Sequence, residues 1–527
     1  MSARDRLLAQ IHTHRLRRRA FLEGTAALGL AAGLAPGLLG RAAFAGEPKQ
    51  GGTLRVGVTG GSATDSLDPT TYTASMHVNY GFAYGNALVE IDTNNQAIPE
   101  LAESWEARAG ATEWVINLRK GVTFHNGKEM DAEDVLFSLN LHRGEDTKSG
   151  AAGYMKTITD IKVLDKHQIL ITLESGNADL PYLLSDYHVL ILPAGSEDLG
   201  AGIGTGPFIV ESFEPGVRFL GRRNPDYWKE GRAHVDAVEL LAINDSSART
   251  AAVQSGEIDI MERVDPKTAD LLKRVAGITI YQASGGGHYL SVMRTDTAPF
   301  DNNDVRLALK YAVDRQEILD KVLRGYGKLG NDHPIPESDP MWSPDIPQRP
   351  YDPEKATFHW KKADVSGPIQ LSAAEAAFTG AVDTAVLMKE HAAKAGIEIE
   401  VIREPNDGYW SNVWMQKPYC MSYWGGRPTA DLMLSVAYKS DAAWNDTFWR
   451  REDFDRLLVA ARAELDTAKR RQMYHELQLM IHEDGGALIP MFNDFVDAAR
   501  DNVKGFEPSP QFGLSGHRVA ERCWLES

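Results

Sequence analysis

Along the chain, apolar and polar positions switch between the alternation of a half-buried strand and the three-to-four spacing of a helix. On this pattern Thr53 to Val58 is a buried strand, closed by Gly60-Gly61 and Asp68-Pro69. The loop from Thr70 to His77 leads into an amphipathic helix over Val78 to Val89. Trp114 to Leu118 alternates as a strand, and the turn Phe124-His125-Asn126-Gly127-Lys128 connects it to a helix capped by Asp131, with Asp134 at the capping-box position. His125 is expected to be an exposed turn residue, since a lone histidine makes a poor metal site. Arg249 to Ser255 is a helix stopped by Gly256, with Ile258 and Ile260 on a strand after it. Val305 to Arg324 keeps helical spacing, whereas Asn331 to Pro350 is proline-rich and aperiodic, a long extended loop. A helix from Ala381 to Ala395 ends at Gly396 and precedes a strand from Ile397 to Ile402. Two helices, Asp453 to Glu464 and Lys469 to Glu483, lead to a terminal strand from Ala487 to Phe492. Strands and helices in such alternation predict an α/β protein with an open mixed sheet.

One stretch departs from this regular pattern. Five tryptophans, Trp410, Trp414, Trp424, Trp444 and Trp449, crowd between Tyr409 and Trp449, interleaved with Gly, Asn, Asp and Arg. The strand Tyr419 to Trp424 must end at Gly425-Gly426 and Pro428, which places aromatic side chains at a glycine-rich turn. A dry core seldom accepts so many polar neighbours, so several of these rings are expected to line a ligand site.

A chain of 527 residues exceeds one hydrophobic core and predicts two or three globular units. Its first 45 residues stand apart. Arg17, Arg18 and Arg19 precede Phe21-Leu22, an apolar run from Thr25 to Leu39 follows, and Ala43-Phe44-Ala45 ends it as a small-x-small cleavage site. Arg18-Arg19-Ala20-Phe21-Leu22 resembles a twin-arginine export signal, with a plain Sec signal as the alternative. Either predicts a mature protein that starts near Gly46 in the periplasm, without a lipid anchor because that region has no cysteine. The leader carries seven arginines against Asp5 and Glu23, so its removal takes the formal charge from −17 to −22. So acidic a surface argues against nucleic-acid and anionic-lipid partners. Two cysteines, Cys420 and Cys523, exclude a disulfide-stapled scaffold and leave one bridge open.

Signatures of catalysis and metal binding are absent from the sequence: no His-Glu-x-x-His, Cys-x-x-Cys, Gly-x-Ser-x-Gly or Walker-type run occurs. Gly204-Thr205-Gly206-Pro207 lacks the lysine and hydroxyl of a phosphate loop and is expected to be a crossover between sub-domains. The expectation is a non-enzyme with no cofactor and no metal, an extracytoplasmic hydrolase being the distant alternative.

Leu101-Ala102-Glu103-Ser104-Trp105-Glu106 and the segment Arg119 to Val135 resemble the signature of bacterial extracellular solute-binding proteins of family 5, which serve ABC importers of dipeptides, oligopeptides and nickel. Further matches follow in the family's order. They are Gly204 to Phe208, Arg223-Asn224-Pro225-Asp226-Tyr227-Trp228, Gln254 to Asp259, Pro299 to Asn302, Val305 to Arg315 and Tyr351 to Ala356. The resemblance implies a two-lobed, periplasmic binding protein-like α/β fold of type II with an extra sub-domain inserted in the first lobe. It places lobe I in residues 46–92, 203–294 and 493–527, the inserted sub-domain in 93–202, and lobe II in 295–492. It also implies a monomer that closes on a peptide or peptide-like solute and delivers it to a membrane permease. Peptide-binding relatives carry an Asp, four places before the Pro after the pocket strand, that pairs with the ligand's ammonium group. Here Trp424 holds that place, with Asp431 and Asp446 as candidate substitutes, so opine-like, sugar-like and nickel-chelate ligands remain alternatives. The expected ligand-binding residues are Tyr72 and His77 in the first loop, His288 and Tyr289 on the crossover strand, and Trp410, Trp424, Gly425, Arg427, Trp444, Asn445 and Asp446. Arg427 suits a ligand carboxylate through its planar fork.

Overall fold

A computed structural model describes residues 47–526 except 109, 407 and 408; the leader expected over residues 1–45 lies outside the described residues. Eleven strands form one mixed sheet. From one edge the order is Ile399–Arg403, Ile369–Ala373, Tyr419–Trp424, Ile278–Met293, Ala487–Arg500, Ile260–Met261, Thr53–Val58, Ala237–Ala242, Arg218–Arg223 and Phe208–Glu214, with Gly327–Leu329 beside Ala487–Arg500. Thr53–Val58 runs parallel to Ala237–Ala242, and Ile369–Ala373 parallel to Ile399–Arg403, while the two central strands are antiparallel.

Those central strands, Ile278–Met293 and Ala487–Arg500, join two separate cores. Leu54, Val56, Tyr80, Phe208 and Phe219 belong to one, and Leu290, Val292, Leu371, Met421 and Leu488 to the other. Between the cores the strand register breaks, from Ser284 opposite Asp494 to His288 opposite Phe492. Gly285, Gly286 and Gly287 fill the break. A Cβ on Gly285 would stand 2.7 Å from the Phe495 ring, and one on Gly287 2.7 Å from Asn493 Oδ1.

A second, four-stranded antiparallel sheet, Ala102–Arg108, Glu113–Leu118, Gln168–Leu173 and Ile158–Asp165, carries its own core around Trp114, Ile116 and Ile171. Buried charges tie it to the C-terminal segment. Lys229 Nζ reaches Glu90 at 2.7 Å and Glu100 at 2.9 Å, Arg518 reaches Glu100 at 2.8 Å, and Arg522 reaches Glu90 at 2.6 Å. Burial alone would raise the Glu90 carboxyl, but Arg518, Lys229 and Arg522 hold it well below the ordinary range. Glu90, Glu100 and Glu521 converge as a metal site would, yet these cations already neutralise them.

Several elements differ from the sequence pattern. The helix expected over Val78 to Val89 runs instead from Ser75 to Tyr84, and Val89–Ile91 pairs as a strand with Ala97–Pro99. Val305 to Arg324 is two helices, Asn303–Tyr311 and Arg315–Val322, because Asp314 caps the second by accepting from Glu317 N at 3.0 Å. His125 is half-buried rather than exposed, its Nε2 3.0 Å from Gly206 O, so it holds the Gly204–Pro207 crossover. Burial lowers its pKa. Cys420 and Cys523 are both free and buried.

Candidate functional site

The strand Tyr419–Trp424 pairs in register with His288–Met293, which sets Trp424 opposite His288 and Tyr423 opposite Tyr289. Where it ends, a cavity of about 380 Å³ opens, lined by Trp410, Trp414, Tyr423, Trp424, Gly425, Arg427 and Trp444. Its rings meet edge to face. Trp410 stands 5.5 Å from Tyr423 at 73° and 5.8 Å from Trp414 at 77°, and Trp444 is tilted 53° to Trp424 at 6.1 Å. The Arg427 guanidinium lies 5.6 Å from the Trp424 ring centre. Rings so arranged offer flat apolar walls with a single cationic group at the rim.

Asp446 holds this wall from behind. Its Oδ2 accepts from Trp414 Nε1 at 3.0 Å and from Trp424 Nε1 at 3.2 Å. Burial pushes its carboxyl up to about 6, against the two indole hydrogen bonds that favour the anion. Asn445, beside it, is buried and spends its amide on Trp449 O at 2.7 Å and Lys439 O at 3.3 Å, so it shapes the loop and does not line the cavity. Asp431, the other candidate for an ammonium group, is buried against Arg462 Nε at 3.0 Å and is absent from the cavity wall. Trp410, Tyr423 and Trp444 are the exposed faces, at 40%, 48% and 52%, whereas Trp424 is 5% exposed.

The other expected residues lie elsewhere. Tyr72 is fully buried, its hydroxyl 3.0 Å from Leu67 O and 2.9 Å from Tyr84 OH, which makes it a core residue. His77 accepts from Thr73 N at 2.9 Å through Nδ1 and bonds Asp65 Oδ1 at 2.7 Å through Nε2, leaving neither nitrogen for a ligand. His288 is buried beside Phe492; its Nδ1 donates to Gly286 O at 3.2 Å, and burial lowers it to about 4, so it stays neutral. Tyr289 stacks on Phe378 at 4.0 Å on the opposite sheet face from His288.

A second cavity, of about 300 Å³, lies against the other core and includes Ser75, Tyr187, Glu262, Arg263, Phe495 and Phe512. Tyr187 and Phe512 also border the narrow space that Pro428 enters, so this wall and the turn after Trp424 face one another. Trp414 and Tyr423 join the expected residues here, and the aromatic stretch that contains them is their only signal in the sequence. Arg263 and Tyr187 carry no local pattern; only the fold brings them here.

Comparison with known proteins agrees with this architecture. Di/tripeptide-binding protein 1 of Pseudomonas aeruginosa (strain UCBPP-PA14) is 27% identical over 522 residues, covering 91% of this chain and 96% of that protein. Among solved structures, HbpA2 from Haemophilus parasuis aligns with a TM-score of 0.81 at 20% identity, over 90% of this chain and 100% of that one. The ABC transporter-associated periplasmic binding protein DppA from Helicobacter pylori, in complex with peptide STSA, aligns with a TM-score of 0.71 at 23% identity, over 91% and 99%. The fold is therefore the two-lobed type II periplasmic-binding architecture. Since the family model also matches residues 96–446, the chain belongs to the bacterial extracellular solute-binding proteins, family 5.

Proposed function

We propose that this protein is the periplasmic solute-binding component of an ABC importer, a monomer that captures a peptide-type solute between two closing lobes and presents it to the membrane permease. The observation that carries the reading is the aromatic cavity at the end of Tyr419–Trp424, open beside the cleft that Tyr187 and Pro428 border. Flat walls suit side chains of many shapes, and the ligand names of Di/tripeptide-binding protein 1 and of the DppA complex support the peptide class. The arginine-rich leader supports export, by the twin-arginine route if Arg18-Arg19 are read together.

Lobe I on this reading takes residues 46–92, 203–287 and 493–527, lobe II 288–492, and the inserted sub-domain 93–202, with the hinge itself at Gly285–Gly287 and Phe492–Asp494. The register break and the membership of Leu290 and Val292 in the second core support a hinge ahead of Arg294. A ligand drives closure only through contacts that the closed state alone provides. The expected site residues are accordingly narrowed to Trp410, Trp424, Gly425, Arg427 and Trp444, with Asp446 supporting them.

Thermal denaturation with a panel of di- and tripeptides tests this. A bound peptide at about a hundred times its dissociation constant adds roughly 2.7 kcal/mol of stability. A panel without any stabilising member, or a peptide that is consumed during the assay, would overturn the proposal.

A further inference from the structure

Two arginines face the cleft, Arg427 without an ion pair and Arg263 with a single long one. Arg427 is half-buried, and its Nη1 bonds only the carbonyls of its own turn, Gly425 O at 2.9 Å and Gly426 O at 3.2 Å. No ion pair among the described residues includes it, and burial lowers its pKa. Arg263, in the facing cavity, stands 3.4 Å from the Glu262 carboxylate, long against the roughly 2.7–2.9 Å of a charge-assisted hydrogen bond. Its side chain is 64% exposed, and its other contact is Ser75 Oγ at 3.4 Å.

The backbone fixes Arg263 in place. Its φ is 50°, a left-handed conformation that a non-glycine residue adopts only when held, and Asp497 Oδ1 holds it by accepting from its N–H at 3.1 Å. Tyr187 links the two cations, since it lines the Arg263 cavity and borders the space entered by Pro428, the residue after Arg427.

The carboxylates of the same walls are already engaged. Glu262 turns inward, its side chain 2% exposed, and accepts from Thr59 N at 2.9 Å. Asp186 accepts from His188 N at 2.9 Å and bonds His188 Nδ1 at 2.6 Å. A guanidinium offers five N–H donors, and a half-buried one without an anion is held at a cost that a ligand acid would offset.

We propose that the cleft is a clamp for an acidic peptide-type ligand with two carboxylates, one taken by Arg427 and one by Arg263, while the tryptophan cavity takes an apolar side chain. This rests on the peptide reading above and narrows it to diacids. Each arginine fork matches one carboxylate in bidentate fashion, and the two arise from opposite cores, so a diacid gains its second contact only when the lobes meet.

Calorimetry with three probes tests the clamp: N-acetyl-Phe-Glu, which has two carboxylates, N-acetyl-Phe-Gln amide, which has none, and unmodified Phe-Gln. The expected order places the diacid about thirtyfold or more ahead of the amide. Arg263→Gln should weaken the diacid by about tenfold or more and leave the amide unchanged, with Arg263→Lys between, because lysine keeps the charge without the fork. An unchanged melting temperature of the ligand-free variant shows that the fold is kept. The clamp is overturned if the diacid does not bind, if the amide matches it, or if Arg263→Gln leaves its affinity intact. Binding of Phe-Gln without the diacid overturns the clamp alone and keeps the peptide reading; silence from all three counts against both.

Discussion

Trp424 and Trp444 meet in the wall of one cavity but differ in what else they do. Trp424 is 5% exposed, packs in the second core and donates to Asp446, whereas Trp444 is 52% exposed with its ring tilted against Trp424. Trp444→Ala should therefore weaken peptide binding by about 2 kcal/mol, roughly thirtyfold, at little cost to stability. Trp424→Ala should cost stability as well, about 3 kcal/mol or more, since it opens a void and strips a hydrogen bond from a buried carboxylate. Calorimetry and chemical denaturation separate the two; equal loss of stability in both variants would refute the distinction. Asp446 gives a test in pH. Its carboxyl lies at about 6 in the folded protein against an ordinary 3.8, so the folded state holds a proton that the unfolded state releases. That contribution is full below about pH 4 and lost as pH rises through about 6. Asp446→Asn, which keeps one oxygen for both indoles, should remove on the order of 3 kcal/mol of the fall in stability between those limits. At this scale the sequence signalled which residue types form the site but not which way they point. Tyr72 and Tyr423 are both tyrosines near turns, and only tertiary packing buries the first against Tyr84 and leaves the second open.

Among the secondary-structure elements, the two glycine runs meet. A Cβ on Gly286 would lie 3.2 Å from Gly426 Cα, and one on Gly426 3.2 Å from the Gly286 backbone. The turn after Tyr419–Trp424 thus approaches the register break of Ile278–Met293 through backbone alone. Gly286→Ala and Gly426→Ala should each displace Arg427 and lower affinity several-fold, and the double variant should cost less than the sum, because both crowd one contact. Strict additivity in a double-mutant cycle would exclude a shared contact. Element identity was largely legible, element length less so. Thr53–Val58 keeps the bounds expected of a buried strand, and Glu113–Leu118 begins one residue before the expected Trp114 and is mostly buried rather than alternating. Ala487–Arg500 continues eight residues past the expected Phe492, through Asn493 and Asp494, because pairing with Ile278–Ser284 far upstream supplies what the local sequence withholds. Conversely, the apolar spacing of Val305 to Arg324 conceals a break, because Arg315 turns inward to pair with Asp332 at 2.7 Å and Asp314 caps a new helix.

Across the whole molecule, the four-stranded unit also touches the second core's helices. Asp179 Oδ2 lies 2.6 Å from Arg470 Nη2, an ion contact without hydrogen-bond alignment, and Ala178 N donates to Arg462 O at 2.8 Å. On the proposed closing of the two lobes, a contact between them biases closure before any ligand arrives, and ligand affinity scales with the closed fraction. Arg470→Ala should then enlarge the ligand-free protein in small-angle scattering and weaken binding, while the saturated complex keeps its wild-type dimensions. Asp339 makes this latch sensitive to pH. Burial pushes its carboxyl up to about 7, with Met341 N opposing and the negative charge of Asp179 adding to the rise. In an open form the same carboxyl would return toward its ordinary 3.8, so closure retains a proton. The favourable contribution is full below about pH 4 and disappears as pH rises through about 7, where ionised Asp339 repels Asp179. The ligand-free protein should accordingly be more open at about pH 8 than at about pH 5, and Asp339→Asn should abolish the difference by keeping a neutral group at that place. Scattering curves that coincide at the two pH values in the wild type, or that differ equally in the variant, would remove Asp339 from the latch and leave Arg470 to act alone.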